Sequence, residues 1–90
     1  MSLQERTFVI KNKLGLHARP AALFVQTTNK HKANVRVFKG QREVDGKSIM
    51  GIMMLAAECG AQIRIVAEGD GEDDVLQELG ELFERKFDEE

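Results

Sequence analysis

Three segments of the chain carry apolar side chains in short or alternating runs that predict β-strands. Residues 7–10 form a short apolar run, and residues 62–67 alternate between apolar and polar positions. Residues 33–44 alternate in two halves about Lys39-Gly40, a turn signal, and therefore predict a hairpin. Such strands need one covered and one solvated face, which an antiparallel sheet provides.

Three other segments carry apolar residues at helical spacing. A helix over residues 18–29 would be apolar along Ala18, Ala21, Ala22 and Val25. A shorter helix, from about residue 49 to 57, follows Ser48 as a credible N-cap. The last helix would place six apolar residues on one face, namely Val75, Leu76, Leu79, Leu82, Phe83 and Phe87. The order β-α-β-β-α-β-α predicts an α+β fold, a two-layer open-faced sandwich with the helices on one face of the sheet.

Charge is spread unevenly along the chain, although the net charge is only −2. Residues 68–90 hold eleven of the 15 acids, whereas residues 1–67 hold eleven of the 13 bases. This pattern predicts a basic working face and an acidic far end. Nucleic acid is a poor candidate for the partner, because no recognised binding motif, Trp or Tyr is present and the whole chain is acidic. A phosphoryl group or an acidic protein fits better.

The composition also bears on the compartment. Apolar runs are too short for membrane insertion, and the N-terminal residues lack the apolar region of a secretion signal. Cys59 is the only cysteine, which excludes an internal disulfide framework and favours a reducing, cytoplasmic location. No cluster of ligands suggests a metal, so we interpret Cys59 as a small apolar filler near a helix end.

The run Gly15-Leu16-His17-Ala18-Arg19-Pro20 carries the candidate chemistry. Proline is tolerated in a first helical turn, so Pro20 places His17 at or next to the N-cap. Backbone amides and the positive end of the helix dipole then converge near the imidazole and favour an anion, phosphate above all. A nitrogen nucleophile with Arg19 two residues on could therefore accept a phosphoryl group.

These residues resemble a known family. The run from Gly15 to Ala21 and the run Lys47-Ser48-Ile49-Met50-Gly51-Ile52-Met53 resemble the HPr phosphocarriers of the bacterial phosphoenolpyruvate-dependent phosphotransferase system. The order of elements agrees over nearly the whole chain. The resemblance implies one domain over residues 1–90, an antiparallel sheet in the order 1-4-2-3 and three helices on one face.

The resemblance also implies roles for the residues of the first motif. His17 would take a phosphoryl group on its δ1 nitrogen from phospho-Enzyme I and pass it to enzyme IIA domains. Arg19 would neutralise the phosphoryl oxygens, while Gly15 and Pro20 would be structural. Such a protein is a covalently modified carrier rather than an enzyme, and it uses no cofactor or metal.

The second motif implies regulation and docking. Ser48 matches the position that a dedicated HPr kinase/phosphorylase modifies in some members, and a plain helix N-cap is the alternative. Ile49, Met50 and Met53, with Lys47 beside them, would form an exposed docking patch. Ile52, Leu55 and Ala56 would instead face the sheet. The alternative is that all of these apolar residues are core.

Several functions stay open at this point. Asn12-Lys13-Leu14-Gly15 and residues 82–90 resemble the nitrogen-related branch, called NPr, whereas the Ser48 motif resembles the sugar branch. A regulatory NPr-like carrier is therefore the nearest alternative to sugar uptake, and a binding module regulated through Ser48 is another. A histidine phosphatase is disfavoured because His31, the second histidine, lies in no matching motif and should be exposed to solvent.

Overall fold

A computed structural model describes residues 3–89; residues 1, 2 and 90 of the expected 1–90 domain lie outside the described range. The elements are β1 (Leu3–Val9), α1 (Ala18–Thr28), β2 (Asn34–Lys39), β3 (Arg42–Asp45), α2 (Ile49–Met54), β4 (Gln62–Glu68) and α3 (Glu72–Glu84), followed by a 3-10 turn over Lys86–Asp88. This order confirms the predicted β-α-β-β-α-β-α pattern. Between residues 3 and 89, no helix has the length and hydropathy needed to cross a membrane.

The four strands form one antiparallel sheet in the order β1-β4-β2-β3, as the resemblance implied. Strand β1 begins four residues earlier than its apolar run suggested. Its first residues are exposed and largely polar, and they belong to the strand because their backbone pairs with β4, where Leu3 lies opposite Glu68. Backbone pairing along an edge strand leaves no apolar pattern in the sequence, so the periodicity could not show this extension.

The core lies between the sheet and the helices. Phe83 joins two other aromatic rings there: it stacks on the partly buried Phe8 with ring centroids 4.9 Å apart, and it meets the edge of Phe24 at 6.4 Å. Phe24 is fully buried, whereas Ala18 is exposed and Ala22 only half-buried, so the predicted apolar side of α1 was partly wrong. The inward side of α1 instead runs through Ala21, Phe24, Val25 and Thr28, which repeat at three- and four-residue intervals.

The C-terminal segment departs from the helical pattern. Helix α3 ends at Glu84, and Lys86, Phe87 and Asp88 all have positive φ angles, of 56°, 52° and 60°. Phe87 was predicted on the helix, but it lies beyond the helix end in this left-handed turn. It is still fully buried, and its ring meets the edge of Phe83 at 5.0 Å. Burying that ring, worth about 1.5–3 kcal/mol, helps to offset the cost of left-handed backbone.

Three smaller predictions were also wrong. Ala56 was expected to face the sheet, but it is exposed with φ of 50°, because α2 ends at Met54 and the chain turns so that Ala57 is buried in its place.

His31 was expected in solvent, but its side chain is only 14% exposed because its Nε2 lies 2.7 Å from a carboxylate oxygen of Glu78. Cys59 was expected to fill a small apolar gap, but it lies exposed in the loop before β4.

Candidate functional site

His17 is the N-cap residue of α1. Its backbone is extended, with φ of −76° and ψ of −167°, and its carbonyl accepts the first helical hydrogen bond, from the Ala21 amide at 3.0 Å. The imidazole does not cap the helix, and its side chain is 37% exposed. The first-turn amides therefore have no acceptor from the N-cap side chain, and they give this end of the helix a positive potential.

The loop before His17 is fixed against the segment that follows α2. The Leu16 amide donates to the Ala57 carbonyl at 2.9 Å, and the Leu16 side chain is buried. Gly15 has φ of 67°, and a Cβ there would lie only 2.2 Å from the same carbonyl oxygen. Glycine is therefore the residue that allows this approach, which sets the position of the following histidine.

Pro20 and Arg19 lie in the first turn of α1. Pro20 is buried at the third helical position, where its missing N–H removes no intrahelical hydrogen bond. Arg19 is exposed at the second position, close enough to Glu89 to contribute a favourable charge to that carboxylate. A cation here adds to the anion-attracting character of the helix start.

A carboxylate from the C-terminal segment completes the site. Glu89 places its two side-chain oxygens 2.8 and 3.0 Å from Nε2 of His17. The Asn12 side-chain amide donates to Glu89 at 3.0 Å and to the Gly15 carbonyl at 2.7 Å. The hydrogen bond from His17 holds the pKa of Glu89 below its usual range, aided by Asn12 and by the charges of His17 and Arg19 against the opposing effect of burial.

Sequence reasoning missed both Glu89 and Asn12. The acidic C-terminal stretch was interpreted as the end of the molecule far from the working face, yet Glu89 lies on the candidate nucleophile. The contact joins residues 72 positions apart through a left-handed turn, so no local period could reveal it. The sequence offered one signal, an apolar Phe87 within an otherwise polar stretch two residues before Glu89; in the structure its ring is buried and holds this segment against the core.

An exposed apolar patch lies beside the site. We define the apolar patch as five side chains that are 40–72% exposed, namely Leu14, Ile49, Met50, Met53 and Met54. Leu14, His17 and Met53 line the same shallow depression, so the patch is continuous with the imidazole. Ile52 and Leu55, on the opposite side of this segment, are buried as expected. Leu14 and Met54 were not among the predicted docking residues.

Ser48 and Lys47 lie at the start of α2. The Ser48 hydroxyl accepts a hydrogen bond from the Gly51 amide at 3.0 Å, so it caps the helix. The Lys47 ammonium donates to the His31 carbonyl at 2.7 Å, which ties its charge to the turn after α1. Both residues are half-buried, and their side-chain hydrogen bonds go to the turn after α1 and to α2 rather than to His17.

The fold is an open-faced α+β sandwich, and it presents a histidine at a helix start beside an adaptable apolar patch. This arrangement is typical of a small protein that carries a phosphoryl group between partners. A sequence profile described as "PTS HPr component phosphorylation site" matches residues 4–85. The chain therefore belongs to the HPr family, and it is a phosphocarrier of the phosphotransferase system.

Individual relatives agree with this assignment. The chain is 47% identical over 85 residues to the phosphocarrier protein HPr of Xylella fastidiosa (strain 9a5c), covering 94% of this chain and 96% of that protein. It is 43% identical over 70 residues to the HPr-like protein Crh of Bacillus subtilis, covering 78% and 82%. A crystal structure of HPr from Thermoanaerobacter tengcongensis superposes with a TM-score of 0.92 at 50% identity, covering 97% of this chain and 98% of that one.

Proposed function

We propose that His17 is the residue that carries the phosphoryl group, that phospho-Enzyme I is its donor and that enzyme IIA domains are its acceptors. The observation that carries this proposal is the position of His17, which is accessible at the positive end of α1 with one ring nitrogen held by a carboxylate. The other nitrogen, Nδ1, is then the nucleophile.

The transfer itself is a displacement at phosphorus. The Nδ1 lone pair of His17 forms the new N–P bond while the bond from phosphorus to the donor's side chain breaks, and the donor keeps that electron pair. The guanidinium of Arg19 and the amides at the start of α1 offset the charge on the phosphoryl oxygens. The same groups must not hold phosphate too tightly, because the N–P bond has to break again when the phosphoryl group is transferred to an acceptor.

Docking of donor and acceptors is assigned to the apolar patch. Ile49, Met50 and Met53 are exposed although apolar, and methionine side chains adapt to surfaces of different shape. A carrier needs this adaptability because its donor and its acceptors have to fit one face in turn. Lys47 would add positive charge at the edge of that face, although its ammonium is now bonded to a backbone carbonyl.

A second role, through Ser48, is supported by its position, because its hydroxyl caps the start of α2 directly before Ile49 and Met50 of the apolar patch. Phosphorylation of Ser48 by an HPr kinase/phosphorylase would add negative charge at the start of α2, beside Ile49 and Met50. The cap geometry can accommodate this charge, since the helix start favours an anion. Incorporation of label from ATP into Ser48 by such a kinase, and its loss in Ser48→Ala, would decide between a switch and a simple cap.

We further propose that the relay operates in the cytoplasm, as the single free cysteine suggests. The protein serves as a covalently modified substrate of other enzymes and turns over no substrate alone. The choice between sugar uptake and an NPr-like regulatory branch depends on the acceptor. Comparing phosphoryl transfer to purified enzyme IIA proteins of each branch would make that choice.

The central experiment is labelling with phosphoenolpyruvate and purified Enzyme I. The parent should acquire one acid-labile phosphohistidine that maps to His17, and His17→Ala should lose the label because the nucleophile is gone. His31→Ala is the matched control, since it removes the chain's other histidine. Undiminished labelling of His17→Ala, or loss of labelling only in His31→Ala, would overturn the assignment.

A further inference from the structure

We propose that Glu89, held in place by Asn12, is a positioning residue that keeps the hydrogen of neutral His17 on Nε2 and compensates the positive charge that the ring gains on phosphorylation. The inference rests on the proposed role of His17 as phosphoryl acceptor. It assigns a function in the transfer reaction to a side chain from the C-terminal end of the chain.

The hydrogen bond determines the tautomer. An ionised carboxylate can only accept hydrogen bonds, so the contacts of 2.8 and 3.0 Å between Glu89 and Nε2 require Nε2 to be the donor. In a neutral imidazole the lone pair is then on Nδ1. Glu89 therefore both orients the ring and leaves free the nitrogen that attacks phosphorus.

The proton and charge balance follow from this arrangement. Nδ1 attacks with its lone pair, so no proton has to leave the ring when the N–P bond forms. Nε2 keeps its hydrogen, and the ring of the product carries a positive charge next to its dianionic or monoanionic phosphoryl group. The Glu89 carboxylate meets that positive charge at Nε2, and no external base is required.

Asn12 fixes the carboxylate. It is fully buried, and its amide nitrogen bridges Glu89 Oε1 and the Gly15 carbonyl. Its carbonyl oxygen has no hydrogen-bond partner among residues 3–89, which is unfavourable for a buried polar atom. The two hydrogen bonds that Asn12 donates offset this cost, and they join the loop before His17 to the C-terminal segment.

The backbone after α3 brings Glu89 to this position. Residues 86–88 form a left-handed turn, and buried Phe87 anchors it against Phe83. The Glu89 side chain is consequently only 15% exposed, although the residue is next to the last in the sequence. An anchored side chain loses less conformational entropy on forming its hydrogen bonds than one on a free terminus.

The test uses Glu89→Ala, which removes the acceptor, and Glu89→Gln, which removes the charge but keeps an oxygen acceptor. Glu84→Gln is the control, because it removes a paired carboxylate from the same end of the chain, where Glu84 bonds Lys11. The tautomer is measured in full-length protein by 15N NMR of the His17 ring nitrogens, at a pH of about 8.5 where an ordinary imidazole is neutral. Transfer from Enzyme I is measured on the same preparations.

We expect the Nε2–H form to dominate in the parent and in Glu84→Gln, and an Nδ1–H population to appear in Glu89→Ala. Glu89→Ala should slow transfer about tenfold or more, the loss expected for one charge-assisted hydrogen bond, with Glu89→Gln between it and the parent. Parental NMR spectra in Glu89→Ala would overturn the proposal, even if transfer slowed, because the effect would then be on docking. The NMR measurement needs no Enzyme I, so its outcome is independent of whether His17 is the acceptor.

Discussion

At the scale of single residues, the chemistry of the site depends on where each polar group is held. His17 is a helix N-cap residue, a position that favours a nearby anion, and the Glu89 carboxylate is bonded to its Nε2. Arg19 is exposed in the first turn of α1, where its guanidinium can approach phosphoryl oxygens. Glu89 occupies Nε2, so the groups left for an incoming anion are Nδ1, the Arg19 guanidinium and the amides at the start of α1.

Arg19→Ala tests this interpretation. The exposed guanidinium should matter to the transfer step and little to folding, so we expect a loss of about 2–4 kcal/mol of transition-state stabilisation and a change in unfolding free energy within about 0.5 kcal/mol. The measurements are single-turnover transfer from phospho-Enzyme I and urea unfolding. Arg36→Ala, an exposed arginine on the sheet, is the control. Equal transfer rates for the two variants would show that Arg19 has no role in the reaction.

At the scale of elements, the short helix α2 is held at both ends by side chains. Ser48 caps its start, while Arg42 and Lys39 from the hairpin donate to the Met54 and Ala56 carbonyls at 2.7 and 3.2 Å. A six-residue helix is not stable in isolation, so these bonds and the buried Ile52 maintain it. The apolar patch is thus presented by a fixed backbone with adaptable side chains.

Met50→Glu separates docking from stability. Met50 is 68% exposed, so a carboxylate there should weaken binding to Enzyme I while the unfolding free energy changes by less than about 0.5 kcal/mol. Ile52→Ala on the buried side of the same helix should do the converse and destabilise the fold by about 2–5 kcal/mol. Calorimetric binding and thermal unfolding of both variants provide the comparison. A collapse of the melting temperature in Met50→Glu would place Met50 in the core.

The sequence predicted the elements whose patterns are local. Alternation revealed the hairpin and β4, helical spacing revealed α1 and α3, and the run around His17 revealed the helix start with its candidate nucleophile. It could not show that Phe87, although in phase with α3, belongs to a left-handed turn, because the spacing of apolar residues is unchanged by what the backbone does between them. Glu89 and Asn12 were missed for the related reason that their contact is set by the whole fold.

At the scale of the whole molecule, two carboxylates of the acidic C-terminal region join it to the basic N-terminal region through histidines. Glu89 bonds His17 at the start of α1, and Glu78 bonds His31 in the turn after α1. The acidic region predicted to lie far from the basic face therefore contacts it at both ends of α1. The hydrogen bonds to Glu89 and Glu78 lower the pKa of both carboxyls in the folded protein, so acid, which protonates them, should weaken the native state.

Glu78 gives the clearest prediction of pH dependence. Its oxygens lie 2.8 Å from the Lys30 ammonium and 2.7 Å from Nε2 of His31, and the hydrogen bond from Lys30, with lesser help from His31, lowers the pKa of Glu78 against the effect of burial. A carboxyl whose pKa is lower in the folded state stabilises the fold above its unfolded pKa of about 4.5, and this contribution is lost as the pH falls through the folded value.

Glu78→Gln should therefore be less stable than the parent at pH 7, by up to about 1 kcal/mol since the pair is partly exposed, and the gap should close in acid. The measurement is urea unfolding of both proteins from neutral pH into acid, which gives the difference in their unfolding free energies at each pH. Glu81→Gln, an exposed carboxylate on the same helix, is the control and should differ little from the parent at any pH. A difference between parent and Glu78→Gln that stayed constant from neutral pH into acid would mean that packing of the side chain, rather than its charge, links α3 to the turn after α1.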